Sequence, residues 1–75
     1  MEIKQVLDAK GLSCPMPIVR TKKAIDQLES GEVLQVLTTD KGSKTDIAAW
    51  SESTGHKLLD VREEDGVFTF LIEKK

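Results

Sequence analysis

A single cysteine, Cys14, in a chain of 75 residues removes intramolecular disulfides from what can hold this fold together. A chain this short buries only about 60% of the surface its unfolded form exposes, and small folds usually add disulfides or a structural metal. Cys14 and the only histidine, His56, fall two ligands short of a structural zinc site, so no metal is expected. The apolar core must therefore hold the fold alone, as one domain over residues 1–75 without repeats, linkers or low-complexity stretches. With 39% hydrophobic and 32% charged residues the composition is ordinary for a soluble domain. No apolar run approaches the roughly eighteen residues of a membrane span, and the N-terminus lacks the apolar core of a signal peptide. A free thiol without an export signal fits the reducing cytoplasm. The formal net charge of −2 argues against nucleic acid as a direct partner.

Hydropathy patterning divides the chain into six elements. Residues 3–8 (IKQVLD) read as a short strand, followed by a glycine-containing loop. From Ile18 the period changes: Ile18, Thr21, Ile25 and Leu28 share one helical face with Ala24 beside them, and Arg20, Lys22, Lys23, Asp26 and Glu29 take the solvent side. Ser30-Gly31 is the expected stop. Residues 33–39 (VLQVLTT) read as a buried strand. A turn at 40–43 leads to a second helix, in which Ser43 and Asp46 resemble a capping box, Ile47, Trp50 and Thr54 recur at helical spacing, and Gly55 is the expected C-cap. Residues 57–62 and 67–73 are two further strands. Asp65-Gly66 between them is a hairpin signal, because such turns need positive φ.

The expected fold is α/β: a two-layer sandwich in the order β-α-β-α-β-β, with two helices on one face of a four-stranded mixed sheet. Ile18, Ile25, Leu28, Val36, Ile47, Trp50, Leu59, Val61, Phe68 and Phe70 would form its core.

The chemistry concentrates at 14–17 (CPMP). Proline suits the first turn of a helix, and the residue before a proline is pushed out of the α region, which places Cys14 at the N-cap. The N–H groups of Met16 and Ile18 are then the free donors able to point at the sulfur. The helix dipole favours a thiolate there by about 0.3–1 kcal/mol, well under one pKa unit. Lys10, Arg20, Lys22 and Lys23 would add positive potential. Thiol–disulfide oxidoreductases generally use a second, resolving cysteine, which this sequence lacks. His56 follows the second helix, where interaction with its terminal carbonyls is the expected role. One bare nucleophilic thiol can accept a group and pass it on.

The stretch 7–17 (LDAKGLSCPMP) resembles the signature of the SirA/TusA-like family of small sulfur-carrier proteins, whose hallmark is Cys-Pro-x-Pro after a strand ending in Asp and a Gly. GEVLQV at 31–36, TDKGS at 39–43, DIAAW at 46–50, STGH at 53–56 and FLIEK at 70–74 also resemble family positions, so the likeness covers the whole chain. It implies that Cys14 receives sulfane sulfur as a persulfide and relays it. Pro15 and Pro17 match the helix-start prolines, Gly11 the preceding loop glycine and Asp40 the acidic residue after the second strand. The implied partners are a sulfur-donor protein, either a cysteine desulfurase or rhodanese-like, and a sulfur-acceptor protein. No cofactor is implied, and a monomer is expected. The turn Asp40-Lys41-Gly42-Ser43 differs from the Asp-Asp-Pro-Ala-like turn of the branch that serves transfer RNA thiolation, which sets this chain outside that branch.

The resemblance implies a carrier rather than a stand-alone turnover enzyme. Two other readings stay open: a non-catalytic regulatory or interaction module with a structural Cys14, and a redox sensor whose single thiol forms mixed disulfides. Lys10, Arg20, Lys22, Lys23 and Asp40 are candidates for partner docking. Against that stand a solvated helix face for the basic residues and, for Asp40, a turn residue that bonds its own backbone. Trp50 reads as core rather than as a ligand platform.

Overall fold

The computed structural model describes residues 2–13 and 15–75. Its elements are β1 (Ile3–Ala9), α1 (Met16–Ile25), β2 (Val33–Thr38), α2 (Ser43–Thr54), β3 (Lys57–Glu64) and β4 (Val67–Glu73), in the expected order. They form one four-stranded sheet ordered β1-β2-β4-β3. β1 runs parallel to β2, and β4 runs antiparallel to both β2 and β3, so the sheet is mixed. A parallel pair needs a crossover, and α1 supplies it. The hairpin between β3 and β4 turns at Asp65 and Gly66 with φ of 52° and 78°; two successive positive values are what a tight I′ turn demands, and the second falls on glycine.

Alternation along β4 separates the two faces of the sheet. Phe68, Phe70 and Ile72 are buried, while Val67, Thr69 and Leu71, which alternate with them, are only half-buried. The buried side joins Leu34 and Val36 of β2, Ala24 and Ile25 of α1, Leu28 just beyond it and Ile47 of α2 in one cluster. Ile18, Trp50 and Val61 pack at its margin, as expected for core positions. The opposite face, with Gln35, Arg62, Thr69 and Leu71, is open as a shallow hollow.

Three local expectations are corrected. α1 ends at Ile25 instead of running on to Ser30, because Gln27 and Leu28 donate to the carbonyls of Ala24 and Ile25 at 3.2 and 3.0 Å. This three-residue spacing tightens the last turn, and Leu28 still reaches the core. Leu59 is not in the core cluster; the β3–β4 register shifts between Leu58 and Asp60, and Leu58 packs there instead. The capping box at Ser43 and Asp46 does not form. The N-cap is Gly42, and no side chain caps the helix. Ser43 turns its hydroxyl inward, 2.6 Å from Thr38 Oγ1, and donates to the Asp40 carbonyl at 2.7 Å.

Candidate functional site

Because β1 and β2 are parallel and pair through to Ala9 opposite Thr38, the loops that follow them leave the sheet at the same end. α1 and α2 both begin there. The loop after β1 is shaped by local hydrogen bonds: Lys10 N–H donates to Asp8 Oδ1 at 3.0 Å, and Leu12 N–H to the Ala9 carbonyl at 3.3 Å. Gly11 lies at φ 83°, a left-handed conformation that favours glycine, and its N–H crosses to Thr39 Oγ1 at 2.9 Å. That contact joins the β1–α1 loop to the β2–α2 loop, residues 28 apart in sequence.

The start of α1 differs from expectation. Cys14, the predicted N-cap, lies outside the described residues. The N-cap position belongs to Pro15, one residue later, with φ −95° and ψ 10°. Met16 N–H donates to the Ser13 carbonyl at 2.9 Å, closing a tight turn before the helix, and the Pro15 carbonyl accepts the first regular helical bond from Val19 at 3.1 Å. The N–H of Met16, expected to be free for the sulfur, is therefore engaged. Pro17 at the second helical position is fully buried, and its carbonyl accepts the buried Thr21 hydroxyl at 2.7 Å. The two prolines thus have distinct environments: Pro15 is exposed at the cap and Pro17 is packed beneath it.

The family model described as Sulfurtransferase TusA matches residues 5–74, nearly the whole chain and all of the loop and helix start just described. The chain belongs to the TusA family. It is 58% identical over 74 residues to the Bacillus subtilis protein named "Putative sulfur carrier protein YrkI", covering 99% of each chain. It is 48% identical over 73 residues to the sulfur carrier protein TusA of Allochromatium vinosum, covering 97% of this chain and 96% of that one. Among solved structures, the SirA-like protein of Desulfitobacterium hafniense superposes with a TM-score of 0.82 at 34% identity, covering 92% of this chain and 95% of that one.

Around this TusA-family loop the basic residues do not form one patch. Lys10 lies on the loop itself and Arg20 midway along α1, both exposed. Lys22 and Lys23 occupy the last turn of α1, where positive charge complements the dipole. At about 1.5 Å per residue they stand roughly 10 Å from the start of the helix, a full Debye length in ordinary salt, so they add little to any thiolate there. At about 100° per residue Arg20 and Lys23 share a stripe with Met16 and Val19, whereas Lys22 projects from the other flank. Met16 and Val19 are 38% and 49% exposed, unusual for their size and not foretold by hydropathy. Met16 stands four residues before Arg20 and Val19 four before Lys23, and that spacing was the available signal.

Asp40 is half-buried in the β2–α2 turn, where Oδ1 accepts the Gly42 N–H at 3.4 Å and the carbonyl accepts Ser43. It sits at the same end of the sheet as Gly11 and Pro15. His56 lies at the opposite end of the sheet and does not bond helix carbonyls as expected. Its Nδ1 accepts the Lys75 N–H at 3.0 Å, and its ring stands 5.3 Å from that of Trp50. Burial, then Lys74, push its pKa below the ordinary value, with Lys75 adding and Asp26 opposing. A neutral ring accepting a hydrogen bond is the opposite of a cationic cap. Among the described residues no cluster of three or more His, Cys, Asp or Glu could hold a metal ion, and no helix is long and apolar enough to cross a membrane.

Proposed function

We propose that this chain is a sulfur carrier that accepts sulfane sulfur as a persulfide on Cys14 and relays it to an acceptor protein. The observation that carries this reading is the match to the TusA family across residues 5–74, which includes the loop, Cys14 and the prolines at the start of α1. The names of its relatives, sulfur carriers among them, support the same chemistry.

Two exchanges make up the relay. The Cys14 thiolate attacks the outer sulfur of a donor's persulfide; a new S–S bond forms at Cys14 and the donor cysteine leaves as its thiolate. An acceptor thiolate then attacks the outer sulfur on Cys14, and Cys14 leaves as thiolate. Sulfur moves without net oxidation or reduction, and no second cysteine on this chain is required. The donor is a protein persulfide of the cysteine desulfurase or rhodanese-like class, and the acceptor a protein thiol. Docking falls to the exposed stripe Met16, Val19, Arg20 and Lys23 on α1, with Lys10 and Asp40 at the loop end. Gly11, Pro15 and Pro17 shape the approach to Cys14.

The test is intact-mass measurement after incubation with a cysteine desulfurase and free cysteine. A species heavier by one sulfur atom, lost on reduction and absent in folded Cys14→Ser, is expected. A glutathione adduct without sulfur uptake would point to a single-thiol sensor, and no modification at all to a non-catalytic module.

A further inference from the structure

We infer that Thr39 is a positioning residue for the chemistry of Cys14, an inference that rests on the persulfide-carrier reading. The bonds from Lys10 to Asp8, Leu12 to Ala9 and Met16 to Ser13 lie within the β1–α1 segment. They give that segment its shape but do not fix where it sits on the fold. The Gly11 N–H bond to Thr39 Oγ1 does, because its acceptor belongs to another element.

Thr39 is itself well anchored. The preceding residue, Thr38, is fully buried; its hydroxyl meets Ser43 Oγ, which donates to the Asp40 carbonyl on the far side of Thr39. Both backbone neighbours of Thr39 are thus held by one buried chain of hydroxyls, and the Thr39 side chain reaches out from it to the loop that runs into Cys14. A hydroxyl suits this task because it accepts the Gly11 N–H without bringing a negative charge near a group that must ionise to react. Gly11 is three residues before Cys14, so losing this tether widens the range of positions over which the thiol is presented.

The experiment compares Thr39→Val, which keeps the shape and loses the acceptor, with Thr39→Ser, which keeps the acceptor. Three measurements are made on each folded variant: hydrogen exchange at the Gly11 amide, the pH–rate profile of Cys14 alkylation by iodoacetamide, and Cys14 loading by inorganic polysulfide. Thr39→Val is expected to lose protection at Gly11 and to slow alkylation by about three- to tenfold, the range that one hydrogen bond supplies. Thr39→Ser restores all three measurements. Wild-type kinetics in Thr39→Val, or the same slowing in Thr39→Ser, overturns the inference. Thr39→Ala makes the same comparison should Thr39→Val not fold. If wild-type protein takes no sulfur from polysulfide while Thr39→Val still slows alkylation, the carrier reading falls and the positioning role stands.

Discussion

Thr38 and Ser43 bring two hydroxyl oxygens within 2.6 Å of each other where both side chains are closed to water. Ser43 donates its proton to the Asp40 carbonyl, so Thr38 must be the donor between the two hydroxyls. Removing either partner then has unequal effects. Ser43→Ala strands a buried Thr38 hydroxyl and is expected to lower stability by about 1–3 kcal/mol. Thr38→Val leaves Ser43 bonded to Asp40 and should cost about 1 kcal/mol or less. Urea denaturation of both single variants measures this, and equal losses would refute the proposed donor order. His56 supplies a residue-scale prediction with a definite sign. Its folded pKa lies below the 6.5 of an unperturbed imidazole, through burial first and then Lys74, so the folded state binds the proton less well than the unfolded state. This group leaves stability untouched above pH of about 6.5 and subtracts from it as pH falls from there toward the lowered value. The melting temperature should therefore drop on going from about pH 7.5 to 5.5, and drop less in His56→Gln. Parallel curves for the two proteins would exclude His56 as the source.

At the scale of elements, α1 divides into a buried face of Pro17, Thr21, Ala24 and Ile25 and an outward stripe of Met16, Val19, Arg20 and Lys23. Two apolar and two basic side chains on one exposed stripe suit an acidic partner surface with an apolar centre. Charge mainly sets the encounter rate, whereas apolar contact sets how long the complex lasts. Replacing Arg20 and Lys23 together by Gln should slow sulfur transfer from a persulfidated donor by about three- to tenfold at low ionic strength and hardly at all near 1 M salt, where screening acts over about 3 Å. Val19→Asp should slow it at every salt concentration. A double variant with wild-type rates at low salt would return Arg20 and Lys23 to an ordinary solvated face. Thr21, Ala24 and Ile25 of the buried face were legible in the sequence because apolar or small residues at helical spacing leave few alternatives, whereas Pro17, fully buried beside them, carried only the signal of a helix start. The two ends of α1 were not legible. The cap depends on where the Met16 N–H finds an acceptor, and the last turn on three-residue bonds at Gln27 and Leu28. Neither leaves a hydropathy signature. The displacement of Leu59 by Leu58 was hidden for a related reason: a bulge changes which side of the sheet a residue faces without changing the sequence pattern. The Gly11–Thr39 contact joins residues 28 apart, and only the folded chain shows it.

For the molecule as a whole, the two-layer arrangement makes stability depend strongly on one face of the sheet. Neighbouring residues of β4 provide the comparison, since Phe70 is completely buried beneath the helices while Leu71, next along the strand, faces the open side and is half-buried. Element order and a mixed four-stranded sheet were readable beforehand because strand and helix periods alternate along the chain and one hairpin carries Asp65-Gly66; the strand order β1-β2-β4-β3, with β4 inserted between β2 and β3, leaves no mark in those periods. The same periods assign Phe70 inward and Leu71 outward. A domain of this size has about 4–11 kcal/mol of stability at the usual figure per residue, and no disulfide adds to it. Phe70→Ala should cost about 3–5 kcal/mol, a large share of that total, and bring the protein to the edge of unfolding if its stability lies near the lower figure. Phe70→Leu keeps much of the volume and, at a cost of about 1–2 kcal/mol, leaves a folded protein in which the loss can be measured directly. Leu71→Ala removes a similar side chain from a surface that water already reaches and should cost about 1 kcal/mol. Urea titration of the three variants is the measurement. If Leu71→Ala proves as damaging as Phe70→Ala, the open face must be buried in solution, and a second layer against that side of the sheet would have to be sought.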